Sequence, residues 1–190
     1  MGTRRSNNNQ LGNQNYILKN GALLGTEGVI ENIRGPKNFV RLGDKTYCRG
    51  RLLTYGHGGE ISIGKYCYIG VRTEIWSMSS IKVGDRVLIA HDVNIHDGTA
   101  HSLDASERHH HFKHILERGH PLSQGQMPGV LSSPIVIEDD VWISFGVTVL
   151  KGVRIGAKSV ISAGSIVTND VPPGSIYRNK IEPIIEPLST

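Results

Sequence analysis

An aliphatic residue returns every six positions through most of this chain, and no other feature restricts the fold as much. The first run is Ile63, Ile69, Ile75 and Ile81; after a two-residue slip it continues as Val83, Ile89 and Ile95. Beyond a long gap it resumes as Ile137, Ile143, Val149, Ile155, Ile161 and Val167. With Ile, Val and Leu at about a quarter of residues, six consecutive hits arise by chance about once in several thousand trials. A second column, small or β-branched, lies four residues after the first. It holds Cys67, Thr73, Ser79, Val87, Val93 and Thr99, then Val141, Val147, Val153, Ser159, Ser165 and Val171. Small residues often follow the first column, as at Gly64, Gly70, Gly84, Ala90, Ser144, Gly156 and Ser162.

A period of six excludes an amphipathic helix, whose apolar face returns at three and four. Residues six apart in a strand share a face, but segments this short need bends between them, with small residues where chains approach. Each hexapeptide is therefore a short strand plus a bend, and the array reads as an all-β chain, a parallel β-helix. Its coils satisfy one another's backbone groups around a thin aliphatic core. That explains why 23 glycines accompany an aromatic content of only 6%.

The same composition narrows the function classes. No run of eighteen apolar residues exists, so no membrane insertion is expected. The first fifteen residues are polar, without the apolar segment of a secretion signal, so a cytoplasmic location is expected. Cys48 and Cys67 then read as free thiols. The net charge of +4 comes without a Lys/Arg block or interleaved aromatics, so no nucleic acid is expected; a small anionic ligand fits better.

Three segments depart from the repeat. Residues 1–15, rich in Asn and Gln, read as a disordered polar tail. The β-helix is expected over 16–176, with Leu42 to Tyr47 an early hexapeptide and 16–40 more degenerate, and 177–190 as a C-terminal tail. The insertion at 101–133 carries His101, Asp104, Glu107, Arg108, His109, His110, His111, His114 and His120. Within it 104–118 predicts a short helix ending before Gly119, followed by a loop with Pro121, Pro128 and Pro134. Long insertions into a rigid array tend to carry function.

With these repeats the chain resembles the hexapeptide-repeat acyltransferases, and most closely the sugar and polysaccharide O-acetyltransferases. The resemblance covers about residues 40–176 and implies a left-handed parallel β-helix with three faces per coil. The stretch from Asn94 to Asp104 is similar to the family's active-site segment. It implies His101 as general base, with a ring that accepts a proton near neutral pH. Asp97 or Asp104 would orient that ring, and Asn94 and His96 would meet the acceptor. Glu138 to Gly146 resembles the family's Asp-x-Val-Trp-Ile-Gly coil, with Ser144 where Gly is usual. It implies Trp142 beside the acyl chain and backbone N–H groups near Ser144 and Phe145 facing the oxyanion. Ser162 to Pro173 looks like the C-terminal signature, which implies Ser162, Ala163 and Thr168 along the pantetheine arm. Arg178 and Lys180 would meet the coenzyme phosphates, although the family's usual element is replaced here by Ile176 to Pro183.

What the resemblance implies is direct acetyl transfer from acetyl-CoA to a sugar hydroxyl in bacterial surface-polysaccharide synthesis. No metal is expected. No covalent acyl-enzyme is expected either, because no Cys or Ser sits in a nucleophile arrangement. The protein would be a homotrimer with the donor groove between subunits and a small-molecule or glycan acceptor. Rival readings exist. His91 and His96 have the five-residue spacing of γ-class carbonic anhydrases, but Val71 stands where the third zinc ligand would lie one coil back. His110 and His114, at i and i+4, read as a solvated face rather than a metal pair. A non-enzymatic β-helical scaffold and an N-acetyltransferase for amino-sugar nucleotides complete the alternatives.

Overall fold

The computed structural model describes residues 14–123, 127–182 and 185–186. The chain winds as a left-handed parallel β-helix with three sheets, one per face. The first face stacks Ile17–Leu18, Val40–Leu42, Ile61–Ile63, Ile81–Val83, Ile135–Ile137 and Arg154–Ile155. On the second lie Leu23–Leu24, Tyr47–Cys48, Tyr68–Ile69, Leu88–Ile89, Trp142–Ile143, Val160–Ile161 and Ile176–Tyr177. The third stacks Val29–Asn32, Arg51–Thr54, Glu74–Ser77, Asn94–His96, Thr148–Val149 and Ile166–Val167. Both hexapeptide columns turn inward, except at Ser79 and Thr99, which fall in the widened turns. Ile69, Ile75, Ile89, Ile95, Ile143 and Ile161 are fully buried, and Val87, Val93 and Val147 fill the corners between them. Cys48 and Cys67 belong to this core as free thiols, and burial pushes the Cys48 thiol up to about 11.

Small residues occupy the corners because successive coils nearly touch there. A Cβ on Gly70 would lie 2.5 Å from the backbone carbonyl of Ala90, closer than real contacts allow. Other corner positions are left-handed without being glycine: Lys45, Tyr66, Arg72, Arg86, Asp92, Ala100, Asp140 and Lys158 have φ between 55° and 62°. Several of them pair from coil to coil. Arg72 is bonded to Asp92 at 2.6 Å, Arg86 to Asp140 at 2.6 Å, and Lys45 lies 5.6 Å from the Tyr66 ring centre.

The two-residue slip has a local cause. Ile137 pairs with Ile155, one strict coil on, whereas Ile61 pairs with Ile81 because residues 78–80 widen the turn between the third and first faces. Every wide turn falls at this same corner: residues 33–39, which include a 3-10 turn at Lys37–Phe39, then 55–60, 78–80 and the long insertion. A buried polar column runs behind it through Asn32, Thr54, Ser77 and Asp97. Thr54 Oγ1 donates to Asn32 Oδ1 at 2.8 Å, and Ser77 Oγ donates to Asp97 Oδ2 at 2.7 Å.

The insertion leaves the coil register intact, for Ile81 on one side of it pairs with Ile135 on the other. It contains one α-helix, α1, at Ala105–Arg118. Near both expected ends of the β-helix, described residues make further contacts with the coils. Residues 1–13 of the expected polar tail lie outside the described residues, but Asn15 donates to Asn32 O at 2.7 Å. Strand Ile176–Tyr177 crosses the expected start of the C-terminal tail, and Asn179 Oδ1 accepts from Ile166 N at 2.6 Å.

Candidate active site

The third face carries a groove of about 620 Å³ lined by Asn94, His96, Gly98, Thr99, Thr148, Leu150, Lys151 and Thr168. Its walls are outward positions of successive coils, which alternation along each strand turns to the surface. The register Asn94 to Thr148 to Ile166 aligns them across the insertion. The structure thus brings Asn94, His96 and Thr168 together, although the first two were assigned to the acceptor and the third to the donor. Thr148, Leu150 and Lys151 were missed. They are visible only when residues on either side of the insertion are placed in one column.

His96 sits at the groove edge with its ring stacked on Trp76, centres 4.9 Å apart and planes 12° from parallel. Trp76 Nε1 donates to Glu74 Oε2 at 2.6 Å, and the Arg51 guanidinium lies 5.5 Å from the Trp76 ring centre. Burial pushes the His96 ring below the ordinary histidine range, against the pull of Glu74 and Asp97, so it is neutral at pH 7. Trp76 was also missed; it occupies the same column as His96, one coil back.

The insertion starts beside this groove and is clasped at its base. Thr99 N donates to Leu131 O at 2.9 Å, Leu131 N to Thr99 Oγ1 at 3.1 Å, and Ser133 N to Asp97 O at 2.9 Å. Helix α1 forms where local signals put it. Asp104 caps its start by accepting from Glu107 N at 2.9 Å, and Gly119, with φ +85°, ends it by donating to Ile115 O at 2.9 Å. Ser102 Oγ donates to Glu107 Oε2 at 2.6 Å, which ties the helix to the chain leaving His101.

The carboxylates expected to orient His101 are engaged elsewhere. Asp97 is fully buried and accepts from Ser77 Oγ, from Met78 N at 2.6 Å and from Ser79 N at 3.0 Å, so it holds the widened turn. Burial pushes its carboxyl above the usual range despite those three donors. Asp104 is spent on the helix cap. The partner His101 does have is another histidine: its Nδ1 lies 3.3 Å from His111 Nδ1 of α1.

The residues assigned to the donor divide between faces. Trp142 stands outward on the second face, half exposed, between Leu88 and Val160. Ser144 is buried and its N–H donates to Ile161 O at 3.0 Å, so that donor already serves the coil ladder. The Phe145 N–H takes part in no such bond among the described residues. Phe145 stacks on His91 at the corner, centres 5.4 Å apart. Ser162 N donates to Tyr177 O at 2.9 Å, and Ala163 is exposed one coil above Phe145, where Gly164 N donates to Phe145 O. Arg178 and Lys180 are exposed beyond the last strand, and Lys180 pairs with Glu182.

The carbonic-anhydrase spacing does not assemble a ligand set. His91 stacks on Phe145 and His96 on Trp76, and among the described residues no three His, Cys, Asp or Glu side chains are placed to hold a metal ion.

Comparison with known proteins agrees with the coil geometry. A family model described as "Bacterial transferase hexapeptide (six repeats)" matches residues 134–169, and one described as "Hexapeptide repeat of succinyl-transferase" matches 60–91. The galactoside O-acetyltransferase of Escherichia coli (strain K12) is 35% identical over 122 residues, 64% of this chain and 51% of that protein. That of Lactococcus lactis subsp. lactis (strain IL1403) is 29% identical over 136 residues, 72% of this chain and 57% of that protein. The chain therefore spans little more than half the length of these two relatives. A crystal structure of AntD, an N-acyltransferase from Bacillus cereus, shares the fold with a TM-score of 0.65 at 16% identity, covering 86% of this chain and 78% of that one. Repeats matched on both sides of an insertion that leaves their register intact, together with these relatives, make the chain similar to the hexapeptide-repeat acyltransferases.

Proposed function

We propose that the protein transfers an acetyl group from acetyl-CoA to a sugar hydroxyl, in the cytoplasm, for surface-polysaccharide synthesis. One observation carries the reading: a groove walled by Asn94, His96, Thr148 and Thr168 opens at the foot of the insertion that bears His101, in a chain similar to galactoside O-acetyltransferases. His101 takes the hydroxyl proton as the oxygen attacks the thioester carbonyl. The tetrahedral intermediate then collapses, breaking the carbon–sulfur bond, and the proton passes from His101 to the departing coenzyme thiolate. The Phe145 N–H, outside the coil ladder, is the donor suited to the oxyanion. Thr148 and Thr168 offer hydroxyls to a pantetheine arm and Lys151 a cation to a phosphate; Arg178 and Lys180 would extend that contact. Trp142, Ser162 and Ala163 reach the donor only if a second subunit brings the second face beside the groove. The exposed column of Leu23, Leu88, Trp142 and Ile176 on that face suits such a trimer.

The test is release of free CoA thiol from acetyl-CoA by the purified protein across a panel of glycosides. Wild type is expected to turn over, and His101→Asn to fall by about 10²–10⁴ with acetyl-CoA affinity unchanged. An undiminished rate in His101→Asn removes the base. A second reading is N-acetylation, with an amino sugar as the acceptor; only its N-transfer draws on a Staphylococcus aureus (strain JH9) relative, 2,3,4,5-tetrahydropyridine-2,6-dicarboxylate N-acetyltransferase, 41% identical over 58 residues, 30% of this chain. Turnover with amino-sugar nucleotides and none with glycosides would select it.

A further inference from the structure

With Asp97 and Asp104 committed elsewhere, the group that meets the His101 ring comes from α1. His101 Nδ1 and His111 Nδ1 face each other at 3.3 Å, with ring centres 5.2 Å apart and planes 57° from parallel. Two ring nitrogens at that distance share one proton, because two lone pairs or two N–H groups would repel. His101 is exposed, whereas His111 is 6% exposed and is the buried residue of α1.

We propose that His111 is the positioning residue of the base: its Nδ1 accepts a hydrogen bond from His101 Nδ1–H, which holds the His101 ring and leaves the lone pair on His101 Nε2. The proposal rests on the reading of His101 as general base. The reverse arrangement would place the His101 proton on Nε2 and leave no nitrogen for a hydroxyl proton. When His101 is protonated during transfer, its Nδ1–H still needs an acceptor, and a neutral His111 supplies one; a charged His111 would turn an N–H toward an N–H. Its surroundings keep it neutral, with its own proton on Nε2, a buried atom that meets no hydrogen-bond partner among the described residues. Burial pushes His111 below the ordinary histidine range, and His101, His120 and His114 add to that push. His57, from the turn after Arg51–Thr54, is pushed down by burial and by His111 and His120 in the same way. The groups that push on His111 are thus histidines, while Glu107, one helical turn earlier in the same cleft, accepts from Ser102 Oγ. A buried neutral acceptor does here what an aspartate does in a His–carboxylate pair. The Asp104 cap, the Ser102–Glu107 bond and the Gly119 stop fix the turn of α1 that presents it.

The test reads the tautomer directly, by nitrogen NMR of the full chain with labelled histidine at about pH 7.5, the His101 signals being assigned by their loss in His101→Asn. Wild type is expected to show His101 protonated at Nδ1. His111→Ala is expected to return it to the Nε2–H form that free histidine prefers. In His111→Asn the amide oxygen stands near the original Nδ1 and cannot be protonated, so the Nδ1–H form is expected to persist. An Nε2–H form of His101 in wild type, or no change in His111→Ala, overturns the proposal, and the wild-type spectrum decides even if His111→Ala does not fold. In turnover, His111→Ala is expected to lose about 10–100-fold in kcat, with most of it recovered in His111→Asn and the acidic limb of the pH profile altered in both. Absence of acetyl transfer in wild type would defeat the proposed function while leaving the tautomer result to stand or fall on its own.

Discussion

The corner residues show what a single position costs in this fold. A side chain at positive φ is strained by about 1–2 kcal/mol relative to glycine, yet eight non-glycine residues among those described accept it. At Arg72 and Asp92 the strained residues of adjacent coils are bonded to each other, but the pair is largely exposed and screened by solvent. Asp92→Ala is therefore expected to destabilise more than Asp92→Gly, by about 1 kcal/mol in urea titrations; equal values would show that the backbone conformation carries no cost. Asp97 poses a different test. In Asp97→Asn the amide nitrogen must face either Met78 N–H or Ser79 N–H, and the buried clash is expected to cost about 1–3 kcal/mol. An unchanged urea midpoint would show that the widened turn does not depend on that carboxylate. Neither role was legible in the sequence. The Asp97 partners lie one coil earlier, and the corner side chains pair across coils, so no short window contains both members.

The insertion, at the scale of an element, was legible where its signals are local. Asp104 and Gly119 bracket α1 as expected, because cap and stop act within one turn of the helix. The partner of His101 was not legible, since it depends on which face of α1 docks against the coils. That docking predicts a pH response. His57, His96 and His111 are all held below the ordinary histidine value of 6.5 by burial. The unfolded chain then binds protons that the folded chain refuses, so stability is complete above 6.5 and falls as pH drops below it. Asp97, raised by burial, works in the opposite sense in more acidic solution. Unfolding free energy is expected to be lower at about pH 5.5 than at about pH 7.5, with a smaller difference in His111→Asn. No difference between the two wild-type values would mean that these rings are not protected from protons.

Across the whole molecule, period and architecture coincide. The hexapeptide spacing sets three faces and a core, and the two-residue slip marks the corner where the turns widen. The outward columns took shape only with the coil register, which the insertion hides from a linear reading; hence His96 was noticed and Trp76 and Lys151 were not. The exposed second-face column makes its own prediction. Leu88 is 51% exposed between Tyr68 and Trp142, so if the proposed trimer forms through this face, Leu88→Lys is expected to reduce the light-scattering mass from three chains to one. A wild-type mass of 20.8 kDa, that of one chain, would refute the trimer.

The clasp at the base of the insertion has a consequence for how such a chain can vary. The segment between Thr99 and Leu131 departs and returns through one knot of hydrogen bonds, and the strands before and after it pair as though it were absent. It is a cassette with fixed sockets. A chain with a different segment between these sockets would keep its coil stack, so under the proposed function acceptor choice could change without any renegotiation of the fold.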